Sequence, residues 1–115
     1  MIATILSAAV AALHAYFLYL EMFAWEAPRT RAAFGTTADF AKASKVLAAN
    51  QGLYNGFLAV GIAAALWTQN QPALIFTLAC VIVAGVYGAA TASRRILFIQ
   101  ALPAALALIA VFVKL

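Results

Sequence analysis

Four apolar stretches, each long enough to cross a lipid bilayer, dominate this chain of 115 residues. An α-helix needs about 20 mostly apolar residues to cross the hydrocarbon core. The stretches are joined by short connections, so consecutive spans must run antiparallel, and no run alternates in polarity as barrel strands do. The sequence therefore predicts an all-α membrane protein, a four-helix antiparallel transmembrane bundle forming one domain. The predicted helices cover about residues 2–25, 38–68, 73–93 and 96–113.

Charge predicts how this bundle is oriented. Hydrophobic residues make up 68% of the chain and charged residues only 9%, which excludes an ordinary soluble domain and a disordered chain. Six of the seven Lys and Arg residues lie between the first and second apolar stretches or between the third and fourth: Arg29, Arg31, Lys42, Lys45, Arg94 and Arg95. Because cations beside membrane spans are retained in the cytoplasm, both termini are predicted outside and the long first connection inside. Topology accounts for the basic excess, so no nucleic-acid partner is predicted.

The first apolar stretch resembles a signal peptide in position, but it has no Lys or Arg ahead of it and continues past any plausible cleavage point. We expect a retained helix and a multi-pass protein of the bacterial cytoplasmic (inner) membrane, with the lipid bilayer as its first partner.

Polar side chains inside these spans are the candidate site. Such groups are costly in hydrocarbon, so they mark a functional site by default. Most of them fall near the predicted cytoplasmic end of the bundle, where they predict an inward-facing pocket for a small molecule or lipid. The candidate ligand-binding residues are Glu21, Asn50, Tyr54, Asn55, Tyr87 and Gln100, joined by His14, which lies seven residues before Glu21 and on the same helix face.

Each of these residues also has a purely structural interpretation. His14 and Glu21 could each make one hydrogen bond that holds two helices together. Asn50 and Tyr54 share one side of the second span, while Gly52 and Gly56 form a small-residue groove on roughly the opposite side. A helix with both features is predicted to be central in the bundle. A ligand-facing role for Asn50 and Tyr54 and a packing role are weighted equally.

Other kinds of chemistry have no motif here. Cys80 is the only cysteine and lies in mid-span, where a lone cysteine is usually a packing residue. No His or Cys pair has metal-ligand spacing, so no metal site is predicted, and no cofactor is assigned.

Three segments resemble a bacterial family of small membrane proteins, the domain-of-unknown-function family 1304. They are LHAYFLYLEMFAW (13–25), KVLAANQGLYNGFLAVG (45–61) and CVIVAGVYGAATASRRILFIQALPAALAL (80–108). The resemblance implies a four-helix protein of the cytoplasmic membrane and carries no assigned activity. The architecture is also similar to the membrane-associated eicosanoid and glutathione metabolism family. In that family a basic residue precedes Asn by four positions and a Glu follows, whereas here Lys45 precedes Asn50 by five and Leu53 replaces the Glu.

Three hypotheses for function follow. The first is a binding or transport protein in which Glu21 bears the charge. Four helices enclose little volume, so a transporter is predicted to be a homo-oligomer. The second is a membrane enzyme for an amphiphilic substrate, with Tyr54 or Tyr87 polarising the substrate and Arg94 or Arg95 holding an anionic cofactor. The third is an accessory subunit of a larger membrane complex. The polar side chains inside the spans favour the first hypothesis over the third. They leave enzymatic activity undecided.

Overall fold

The computed structural model describes residues 1–115 and is entirely helical. The predicted all-α class is therefore confirmed. Its elements are α1 (Ile2–Phe23), α2 (Pro28–Phe34), α3 (Ala38–Ala43), α4 (Lys45–Trp67), α5 (Gln71–Thr91), a π-helix (Leu97–Ala101) and α6 (Leu102–Phe112).

Local sequence explains where several helices begin and end. Pro28 occupies the first turn of α2, where its missing N–H costs nothing, and Gly35 ends that helix in the left-handed conformation at φ 69°. The Thr37 hydroxyl accepts from the Phe40 N–H (3.1 Å) at the start of α3. The Asn70 side chain accepts from the Ala73 N–H (3.0 Å) at the start of α5. Each cap satisfies a donor that the helix itself leaves unpaired.

The structure differs from the predicted helices in three places, two of which lie between α1 and α4. Helix α2 lies within the predicted first connection, and the predicted helix over residues 38–68 is interrupted at Ser44. The Ser44 hydroxyl donates to the Phe40 carbonyl (2.7 Å) and accepts from the Trp25 indole N–H (3.1 Å). A hydroxyl that bonds back onto the preceding turn bends a helix, and the indole bond holds Ser44 in this position.

The third difference lies just before Pro103, within the predicted helix over residues 96–113. There the Leu102 N–H donates to the Leu97 carbonyl, five residues back, as in a π-helix. Proline has no N–H to continue the regular α-helical ladder, so a change of pitch next to it is expected.

The chain divides into two compact units, and the boundaries fall within α1 and within α4. The first unit comprises Met1–Ala12 and Leu58–Leu115. Its apolar core includes Val10, Ile62, Leu78, Val81 and a run of buried alanines from α6, namely Ala104, Ala107 and Ala110. Gly85 packs directly against the backbone of Ala101, so α5 and the π-helix are in close contact.

The second unit is Leu13–Phe57, which holds the carboxyl half of α1, helices α2 and α3, and the amino half of α4. Gly52 and Gly56 lie against Leu18, Glu21 and Met22 of α1. Small residues at these positions let the two helix backbones approach closely. Trp25 then links the end of α1 to the long connection, through its bond to Ser44 and an edge contact with Phe34 at 4.9 Å between ring centroids.

Two helices, α1 and α5, are long and apolar enough to cross a membrane, and the shorter stretch Leu97–Phe112 is also apolar. Helix α4 is long enough but carries the polar residues 50, 51 and 55. The predicted four-span bundle, its orientation and its description as one domain stay predictions.

Candidate functional site

Glu21 is the most deeply buried acidic group in the protein, with 2% of its surface exposed. It lies in the last turns of α1, where α4 crosses it at Gly52. A β-carbon built on Gly52 would lie 3.0 Å from the Glu21 β-carbon and 2.7 Å from Met22 Cγ. The glycine therefore brings α4 close enough for its polar side chains to reach the carboxylate.

Two amides of α4 hold the Glu21 carboxylate. Asn55 Nδ2 donates to Oε1 at 2.5 Å, and Gln51 Nε2 donates to Oε2. Gln51 and Asn55 are four residues apart, so they lie one above the other on the same side of α4. We call Glu21, Gln51 and Asn55 the carboxylate–amide centre.

The two amides satisfy the hydrogen-bonding capacity of the Glu21 carboxylate but do not neutralise its charge. Amide donors stabilise a carboxylate but are neutral. Glu21 forms no ion pair with a lysine or arginine, whereas Glu26 is paired with Lys45 at 3.4 Å between Oε2 and Nζ. A buried carboxylate in an apolar helix attracts a cation if it stays charged. Alternatively, it becomes neutral by taking up a proton. Either event can be coupled to a ligand.

His14 is also fully buried, and its ring makes an edge contact with Phe17 at 5.4 Å. Seven residues of α-helix separate it from Glu21, a rise of about 10.5 Å along α1. The two side chains therefore occupy successive positions on one face of α1, and a ligand-binding role for His14 stays a prediction.

The structure brings only some of the predicted ligand residues together. Asn55 contacts Glu21 as part of the centre. Asn50 and Tyr54 are exposed on α4, and the Tyr54 ring lies 5.9 Å from that of Phe57. Their ligand-binding role stays a prediction.

Tyr87 and Gln100 belong to the other unit. Tyr87 is 71% exposed on α5, and Gln100 is half-buried within the π-helix. Their part in a pocket also stays a prediction.

Gln51 is the residue missing from the predicted ligand set. Its signal was present in the sequence, because Gln51 and Asn55 directly precede Gly52 and Gly56. The side of α4 that packs on α1 is the glycine side, so the amides beside the glycines are the ones that reach Glu21.

The side chains offer no metal-binding group, since no three His, Cys, Asp or Glu residues lie close enough together to hold an ion. Cys80 is a free thiol, half-buried in α5.

The fold and the centre define a small all-helical protein that carries a buried carboxylate in an apolar helix of membrane-crossing length. The chain belongs to the family described as "Protein of unknown function (DUF1304)", whose profile matches residues 8–112. The family predicted from the sequence is thereby confirmed. The chain is 34% identical over 112 residues to "Uncharacterized protein YpaA" of Lactococcus lactis subsp. lactis, a match covering 94% of each chain. No solved structure gives a significant match.

Proposed function

We propose that this protein is a four-span integral protein of the bacterial cytoplasmic membrane that binds a small or amphiphilic molecule through a cationic group at Glu21. The observation that carries the proposal is the carboxylate–amide centre, a buried acid oriented by two neutral donors and without a Lys or Arg counter-charge. Such a carboxylate is expensive in hydrocarbon, and a neutral residue could join two helices at lower cost.

Exposed apolar side chains support the membrane location. Trp67, Phe76, Val83 and Phe98 are each at least 65% exposed. In the most apolar windows of α1 and α5, only 17% and 28% of the residues are buried. Soluble monomers rarely expose contiguous apolar patches above a few hundred Å². Lipid chains would cover these surfaces.

The proposed topology places both termini outside, because six of the seven Lys and Arg residues lie in the first and third connections. Helices α2 and α3 would then lie at the cytoplasmic surface. Four helices enclose little volume, so we further propose that the protein acts as a homo-oligomer.

Cysteine labelling tests this topology. In a Cys80→Ala background, a cysteine replacing Gln71 should react with a membrane-impermeant maleimide in intact cells. A cysteine replacing Ala33 should react only after the membrane is permeabilised. Both positions are exposed, so access depends on the membrane and not on burial. Labelling of Ala33→Cys in intact cells would contradict the proposed orientation.

Ligand binding is tested by thermal unfolding of the purified protein with the cationic amphiphiles dodecylamine and tetraphenylphosphonium. A ligand at 100 times its Kd stabilises the folded state by about 2.7 kcal/mol. We expect such stabilisation for the wild type and its loss in Glu21→Gln, because the glutamine has the same shape but no charge to attract the cation.

Asp39→Asn is the matched control. It removes one negative charge from an exposed position in α3 and should leave the ligand-induced shift unchanged. Equal stabilisation of the wild type and Glu21→Gln would exclude Glu21 as the cation site. If no ligand acts and Glu21→Gln is at least as stable as the wild type, the centre neither binds a cation nor stabilises the fold, and a subunit role in a larger complex gains weight.

A further inference from the structure

An open cleft of about 460 Å³ lies at the carboxyl end of α1, outside the carboxylate–amide centre. Its lining includes Tyr19 and Phe23 of α1, and also Trp25, Glu26 and Lys45. All of these residues belong to the second unit. The cleft is therefore apolar along α1 and charged just beyond the helix.

The cleft lies where the apolar segment of the chain gives way to polar sequence. Helix α1 ends at Phe23, and the first charged residue beyond its end is Glu26. In a membrane-spanning helix this change marks the depth at which acyl chains meet lipid headgroups, and Trp and Tyr concentrate at that depth. A lipid beside α1 would place its headgroup at the charged end of the cleft.

The charged end presents one anion and one cation together. Lys45 Nζ lies 3.4 Å from Glu26 Oε2, and the two side chains are 62% and 44% exposed. An ammonium has three donors and a carboxylate has about four acceptor positions, so this pair leaves most of both unused. The arrangement matches a headgroup that carries an ammonium and a phosphate at short separation.

We propose that this cleft binds the headgroup of phosphatidylethanolamine from the membrane. The primary ammonium of the lipid donates to Glu26, the phosphate accepts from Lys45, and an acyl chain lies along Tyr19 and Phe23. Phosphatidylcholine has a quaternary ammonium that cannot donate to Glu26, and phosphatidylglycerol has no cation for it. The cleft thus distinguishes a primary ammonium from both. The proposal rests on the membrane location proposed above but not on ligand binding at Glu21.

Thermal unfolding of the purified protein in detergent, titrated with lipids of identical acyl chains, tests this proposal. The wild type should bind phosphatidylethanolamine about tenfold more tightly than phosphatidylcholine, the ratio expected for one charge-assisted hydrogen bond. Glu26→Gln should abolish that preference, and Lys45→Gln should weaken binding of both lipids. Lys42→Gln and Asp39→Asn make the same charge changes at exposed positions of α3 and should preserve the preference.

Further arms identify the source of the headgroup and separate the two sites. Free phosphoethanolamine should bind far more weakly than the lipid, because it cannot use the apolar wall; equal affinity would overturn the assignment to a lipid. Glu21→Gln should retain the lipid preference, so failure of cation binding at Glu21 leaves this proposal standing. A wild type that does not distinguish ethanolamine from choline headgroups, or a Glu26→Gln variant that still does, would refute it.

Discussion

Replacing Gly85 with alanine is expected to destabilise the protein by about 3 kcal/mol, the upper end of the usual range for an overpacked contact. A β-carbon at this position would lie 2.7 Å from the Ala101 amide nitrogen, 2.8 Å from its β-carbon and 2.9 Å from its α-carbon. All three distances are too short, and the obstacle is the Ala101 backbone with its rigidly attached β-carbon, which cannot move aside as a flexible side chain does. The π-helix would have to shift away from α5. Thermal unfolding in detergent measures the loss.

Gly61→Ala is the control for this substitution. A β-carbon on Gly61 would meet Thr77 at 3.4 Å, an ordinary van der Waals distance. Alanine is favoured over glycine inside a helix by about 0.5–1 kcal/mol. We therefore expect Gly61→Ala to be neutral or stabilising, and similar unfolding temperatures for the two variants would show that α5 and the π-helix are not in such close contact.

The second large effect is expected from Asn55→Asp, which places a second carboxylate against Glu21. The Asn55 amide lies 2.5 Å from Glu21 Oε1, and two carboxylates at that separation cannot both stay charged. Uptake of a proton reduces the repulsion. We therefore expect the free energy of unfolding to fall by about 2–4 kcal/mol at neutral pH. Urea or thermal unfolding of the variant and the wild type gives the difference.

A second substitution tests whether the effect of Asn55→Asp arises from its contact with Glu21. The double variant Glu21→Gln/Asn55→Asp exchanges the positions of amide and acid, and it should recover most of the lost stability. Asn50→Asp places the same charge on an exposed position of α4 and should cost less than Asn55→Asp. If Glu21→Gln does not rescue Asn55→Asp, the two side chains do not interact as the structure describes.

The long helices were predictable because composition alone dictates them. The predicted helices over residues 2–25 and 73–93 lie close to Ile2–Phe23 and Gln71–Thr91, because an uninterrupted apolar run of about 20 residues is typical of a long helix. The interruption at Ser44 was not predictable in the same way. It accompanies a hydrogen bond from Trp25, which lies 19 residues earlier in the chain. A local sequence pattern does not predict a contact between residues so far apart.

The candidate site was predictable in part for a related reason. Glu21 stands out because an acid in an apolar segment is expensive wherever it points. Identifying its partners required knowing which side of α4 meets α1. Asn50 and Gln51 are neighbours in sequence but lie about 100° apart around the helix, and packing against Gly52 and Gly56 selects the side that carries Gln51 and Asn55.

Trp25 has a mechanical consequence for the carboxylate–amide centre. Its indole bond to Ser44 and its ring contact with Phe34 fasten the carboxyl end of α1 to the segment that leads into α4. Sliding α1 past α4 by one helical turn, about 5.4 Å, would break that bond as well as both amide bonds to Glu21. These contacts join the carboxyl end of α1 to the amino half of α4. Any movement of these segments that accompanies ligand binding would therefore carry Glu21 and its two amide partners together.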